Sequence, residues 1–178
     1  MMLDRDRAVV VVIDVQEGFR SYSCFEKVAA ACGRLVAGAR ILGVPVMATE
    51  QYPQGLGATV AAVGLEADGG AAAPVAKTVF SACRADGFAL PDGRDQILLC
   101  GIETHVCVAQ TALDLLDGGH HVFLVEDAAG SRHKRDRRTA LRRLAQEGCI
   151  PVSVESALLE LCSAAGNPEF KAVQGIIK

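Results

Sequence analysis

Five consecutive β-branched residues, Val9 to Ile13, end abruptly on Asp14. β-Branched side chains are stiff at χ1 and suit a pleated strand. A strand without apolar–polar alternation must be covered on both faces, as in a parallel sheet between helical layers. The rest of the chain should therefore supply more short apolar strands, with helices between them.

It does. Phe25 to Leu42 has Val28, Leu35, Val36 and Ala39 at helical spacing. Val44 to Thr49 reads as a second strand. Thr59 to Leu65 suggests a short helix, and Gly69 to Pro74 a connector. Strands are expected at Val75–Phe80, Gln96–Cys100, His121–Val125 and Ile150–Val154. Helices are expected at Thr104–Leu116, closed by Gly118 and Gly119, at Arg135–Gln146 and at Ser156 to about Ala164. A last helical turn precedes Lys178. Alternating strands and helices imply right-handed crossovers. The expected fold is α/β: one three-layer, doubly wound, Rossmann-like sheet of six parallel strands, a single domain over residues 1–178.

Bulk properties narrow the function. A chain of 178 residues with 51% apolar content can bury a sizeable core. A net charge of -3 gives no global cationic field for nucleic acid or a membrane surface. The apolar run Ala8–Ile13 is too short to span a bilayer, and no signal-peptide layout precedes it. The expected location is the cytoplasm. Seven cysteines, odd in number and without a CxxC pair, argue against a disulfide framework or a zinc site. No metal or cofactor is expected.

In doubly wound sheets, ligands sit beyond the carboxyl ends of the strands, at the point where strand order reverses. Three residues stand out at those ends. Cys107 falls in the first turn of a helix after the fourth strand, where partial positive charge and free N–H groups favour a thiolate and an oxyanion. Asp14 ends the central strand, and a buried carboxylate is costly unless paired or used. Lys77 interrupts an apolar strand. The alternatives are a structural cysteine, a loop-capping aspartate and an edge-strand lysine. Together the three would form a nucleophile, base and orienter set.

The blocks AVVVVIDVQEGF, KTVFSAC and GIETHVCVAQTALDLLDGGHHVFLVEDAAGSR resemble isochorismatase-like cysteine hydrolases, closest to the isochorismatase-domain-containing subgroup. TEQYPQGLGATV and VESALLEL extend the resemblance over nearly the whole chain. It implies strand order 3-2-1-4-5-6, a homo-oligomer (dimer or higher), and a site of Cys107 as nucleophile, Asp14 as base and Lys77 as stabiliser. It also implies a cis peptide between Ile102 and Glu103, with the Glu103 and Cys107 N–H groups forming an oxyanion hole. Gln16 and Phe19 become candidate substrate-binding walls, and Tyr22, Phe25 and Tyr52 are expected to shape the pocket. The reaction implied is hydrolysis of a small amide or related C–N bond through an acyl-enzyme. Nicotinamidases of the same superfamily carry an Asp-x-His metal site after strand two; here Glu50-Gln51-Tyr52 stands there, which argues against a metal. True isochorismatases do not use the cysteine, so Cys107 argues against vinyl-ether hydrolysis.

Other signals are weaker. The Gly55-x-Gly57 segment lacks both the third glycine of a dinucleotide fingerprint and a strand leading into it. Arg132 to Arg143 holds seven basic residues, which reads as a solvated helix face. His105 is expected to face solvent or an interface. Two rival readings stand beside the hydrolase: an idle homologue acting as scaffold, and a thiol redox sensor with Cys83 or Cys100 as resolving partner.

Overall fold

The structure is a computed structural model that describes residues 1–65 and 73–178. Much of the expected Gly69–Pro74 connector lies outside them. Strand β1 (Ala8–Ile13) is buried along its whole length. It sits inside a six-stranded parallel sheet with β2 (Val46–Gln51), β3 (Val75–Lys77), β4 (Gln96–Ile102), β5 (His121–Gly130) and β6 (Ile150–Val152). The order is β3-β2-β1-β4-β5-β6. This is the expected doubly wound α/β fold.

The two faces of β1 feed two cores. Val10 and Val12 pack with α1 (Phe25–Ile41), α5 (Val154–Cys162) and α6 (Phe170–Ile177). Val9, Val11 and Ile13 pack with α3 (Ala109–Asp117) and α4 (Lys134–Glu147). A short α2 (Pro53–Leu56) follows β2. Each buried Val or Ile contributes roughly 1.5–3 kcal/mol, so the run that predicts the strand also fixes it at the centre. None of the described helices is long and apolar enough to cross a membrane.

Three local departures from the sequence reading matter for the site. Strand β5 runs on to Gly130 instead of stopping at Val125. The register shifts between Leu99 and Gly101, after which Gly101 and Ile102 pair with Ala129 and Gly130. The polar pair Glu126-Asp127 marks that shift, not the strand end. Secondly, β3 stops at Lys77 instead of Phe80. Thirdly, the chain after β4 does not start an α-helix directly. The Ile102–Glu103 peptide is cis, as the resemblance implies; the departure is that residues Thr104–Val108 form a π turn. In it, the N–H groups of Val106 and Val108 both donate to the Glu103 carbonyl, at 3.0 and 3.3 Å. Such turns recur at functional sites.

Gly101 makes this arrangement sterically available. Its φ is +118°, and a Cβ there would lie 2.0 Å from the Ile13 carbonyl oxygen. Only glycine lets β4 pass so close to the end of β1.

Candidate active site

Strand β1 delivers Asp14 at its carboxyl end with φ +52°, in the left-handed region. That conformation costs a non-glycine residue on the order of 1–3 kcal/mol and tends to persist where function holds it. The Asp14 Oδ1 accepts from the Thr49 hydroxyl at 2.7 Å, and Oδ2 accepts from Lys77 Nζ at 2.7 Å. Neither charged side chain has exposed surface. Lys77 Nζ also donates to Gln51 Oε1 at 2.7 Å and to the carbonyls of Phe80 and Val79 at 3.0 and 3.3 Å. A buried ion pair survives only with this kind of additional hydrogen bonding.

Strand β3 is an edge strand, as the bland reading of a lysine there requires. Lys77 nevertheless points inward, because Thr49 and Gln51 provide a polar face for the pair. The sequence reading placed both residues at the end of strand two without giving them a role. Their i, i+2 spacing, which puts them on the same side of a strand, was the available signal.

Cys107 lies in the π turn and is buried. Burial pushes its thiol up to about 12, the Asp14 charge pushes the same way, and Lys77 opposes. The helix start favours a thiolate, but burial opposes it, so the resting group is a neutral thiol beside Asp14. Desolvation outweighs the turn's partial charge.

The raised thiols have a consequence for stability. Cys107 and the buried Cys149 hold their protons to about 12, against 9.0 for ordinary cysteine. The folded chain therefore binds more protons than the unfolded chain above pH 9, and stability falls as pH rises from 9 to 12. Each thiol costs about 1.4 kcal/mol per pH unit in that window. In denaturant unfolding at pH 8 and pH 10.5, Cys149→Ala should lose about 2 kcal/mol less than wild type over that interval. Equal losses would mean that Cys149 ionises normally in the fold.

The other sequence candidates fall around this centre in different ways. The Glu103 carboxylate accepts from the Arg132 N–H at 3.0 Å, and the Arg132 guanidinium lies 3.8 Å away. Gln16 is buried, and its amide donates to the carbonyls of Gln51 and Gly57 while its oxygen accepts from the Gln51 N–H. That carboxamide ties β1 to the chain after β2. Phe19 is half-buried, with its ring 5.3 Å from that of Tyr22. Phe25 is fully buried in the α1 core, so it does not face a pocket. Tyr52 is exposed and helps line a surface cavity of about 240 Å³ with Lys77, Val79 and Arg84. His105 is half-buried, with Nδ1 3.0 Å from the Ser131 hydroxyl. Cys100 belongs to the core on the opposite sheet face from Cys107, so it cannot act as a resolving partner without crossing the sheet. Cys83 is exposed. Among the described residues no cluster of three or more metal-ligating side chains occurs.

Known proteins place this geometry in context. A family model described as the isochorismatase domain matches residues 8–156. Mouse isochorismatase domain-containing protein 2A is 43% identical over 177 residues, spanning 97% of this chain and 84% of that protein. The MAR1 ribonuclease structure from Caenorhabditis elegans is 36% identical with a TM-score of 0.88, covering 99% of this chain and 92% of that one. YcaC from Pseudomonas aeruginosa, solved with covalent acrylamide, is 26% identical with a TM-score of 0.84, covering 98% and 91%. Its Escherichia coli counterpart, 24% identical with a TM-score of 0.83 and coverage of 98% and 87%, shares the fold and is described as an octameric hydrolase of unknown specificity.

Proposed function

The chain belongs to the isochorismatase domain family, and we propose that it works there as a cysteine-dependent hydrolase of a small amide or related C–N substrate. The observation that carries this reading is a fully buried Asp14–Lys77 pair beside a buried, neutral thiol where the strand order reverses. A neutral thiol needs a base, and the carboxylate beside it is the one available.

Asp14 takes the Cys107 proton as the sulfur attacks the carbonyl carbon, while Lys77 keeps its charge next to the pair. The N–H groups of Glu103 and Cys107 hold the oxyanion. Collapse breaks the C–N bond, and Asp14 returns the proton to the departing amine. Asp14 then takes a proton from water as it attacks the thioester, releasing the acid and restoring the thiol. These steps use no metal or cofactor. Phe19 and Gln16 shape the substrate's surroundings, Gln16 by holding the loop after β2.

The acrylamide bound covalently in the Pseudomonas relative supports a reactive nucleophile in this fold. The ribonuclease name of the nematode relative suggests phosphodiester cleavage instead. A base with no exposed surface favours a small molecule over a polymer's hydroxyl. Exposed Tyr52, Val79 and Phe80 near the edge strand, and the octameric Escherichia coli relative, support a homo-oligomer. Seven free cysteines suit a reducing compartment such as the cytoplasm.

Intact-mass measurement after rapid acid quench, with a panel of small primary amides, tests the reading. Wild type should gain the acyl mass on Cys107, and Cys107→Ala should gain none. Modification of Cys107 only under oxidant would favour a redox sensor. A Cys107 inert to every amide and every oxidant would favour a scaffold.

A further inference from the structure

The net charge of -3 conceals a strong polarity. Residues 132–143 hold seven of the chain's eighteen lysines and arginines and one of its twenty-one acids. The remaining residues are therefore strongly acidic, and helix α4 is a local cationic exception.

Its geometry is ordered. Lys134, Arg138 and Arg142 follow one another at i, i+4, about 6 Å apart along one line of the helix. Arg135 lies beside them. Asp136 and Glu147 fall about 100° or more further round the helix, and Ala140 and Leu144 face the core. All four basic side chains are exposed, and none forms an ion pair among the described residues. Solvated helix faces commonly balance bases with acids at i, i+4; this one does not.

The chemistry of the stripe selects its partner. Protein interfaces set such arginines around a central aromatic or apolar anchor, and no aromatic or apolar residue occupies these four positions. A phosphodiester backbone needs no such anchor: a fixed row of cations binds it by releasing counterions, and guanidinium groups match phosphate oxygens. Helix α4 has no aromatic side chain on which an unstacked base could lie. We propose that this face of α4 docks the backbone of a nucleic-acid duplex without reading its bases. The acidic remainder of the molecule repels the same partner, so the interaction is weak and strongly salt-dependent. It stands apart from the hydrolase reading and survives if that reading fails.

Fluorescence anisotropy with a labelled 16-base-pair RNA duplex of mixed sequence, between 25 and 200 mM KCl, provides the test. Four phosphate contacts predict a slope of log K against log salt of about -3 to -4. Combined Arg135→Glu, Arg138→Glu and Arg142→Glu, all exposed positions, should keep the wild-type circular dichroism and weaken binding at 25 mM by about 30-fold or more. A second duplex of unrelated sequence should bind equally. A slope near zero, or unchanged binding by the triple variant, would overturn the proposal. So would displacement by polyglutamate at the same charge concentration, which would assign the face to an acidic polypeptide.

Discussion

Asp14→Asn should abolish most turnover and, at the same time, change how Cys107 responds to pH. Loss of a general acid–base typically costs 10²–10⁴-fold in rate, and this variant should fall by about 10³-fold on any amide that wild type cleaves. Alkylation of Cys107 reports the reason. In wild type the thiol can pass its proton to Asp14 internally, so labelling by iodoacetamide should be nearly flat from about pH 6 to 9. In the variant the proton must leave for solvent, and the rate should climb about tenfold per pH unit. The sign of the thiol shift also follows from its causes. The Asp14 charge helps to hold the thiol up at about 12, whereas Lys77 lowers it. Removing the charge lowers the thiol, so the variant's curve should level off below the wild-type value. The substitution is gentle elsewhere: Asn keeps an oxygen for the Thr49 hydroxyl, tolerates a left-handed φ, and leaves Lys77 with Gln51 and two carbonyls. Identical pH profiles for the two proteins, read by peptide mass spectrometry, would remove Asp14 from the base role.

How much of this could be read in advance depended on the kind of signal. The run Val9–Ile13 dictated a doubly covered strand because burial on both faces leaves no room for polar alternation. It therefore located Asp14 correctly at the strand end. Strand limits failed where backbone geometry, not side-chain pattern, decides them: the bulge near Gly101 extends β5 past its two acids, and no periodicity announces a bulge. The charge state of Cys107 is a different case. Position in a turn is visible in sequence, but the depth of burial that pushes the thiol up is a property of the assembled layers. Thr49 and Gln51 lie between these cases. Their common face was legible, but their purpose appeared only when Lys77 arrived from 26 residues further along to bond Gln51.

Lys77→Met should be the most destabilising of the substitutions considered. Both side chains of the Lys77–Asp14 pair are fully buried. Removing one partner leaves the other charge uncompensated, at a cost of about 3–5 kcal/mol. For a chain of this size that corresponds to a fall in Tm of about 10 °C. The Asp14 carboxylate would retain the Thr49 hydroxyl alone among its two side-chain partners. Acidification should therefore help the variant relative to wild type, because a proton neutralises the stranded charge. The double variant Lys77→Met with Asp14→Asn separates stability from function. Without a buried charge, it should recover at least about 2 kcal/mol of the loss, since neutral replacements of buried pairs often cost little. The unpaired carbonyls of Val79 and Phe80 would keep the recovery incomplete. The double variant should still be inactive. Denaturant unfolding of wild type, both single variants and the double variant completes the cycle. A double variant as unstable as Lys77→Met would mean that the lysine stem and its carbonyl contacts, not charge compensation, hold this corner of the fold. Recovery without activity would mean that most of the cost of losing Lys77 is the stranded Asp14 charge, and that the pair itself is needed for chemistry at Cys107.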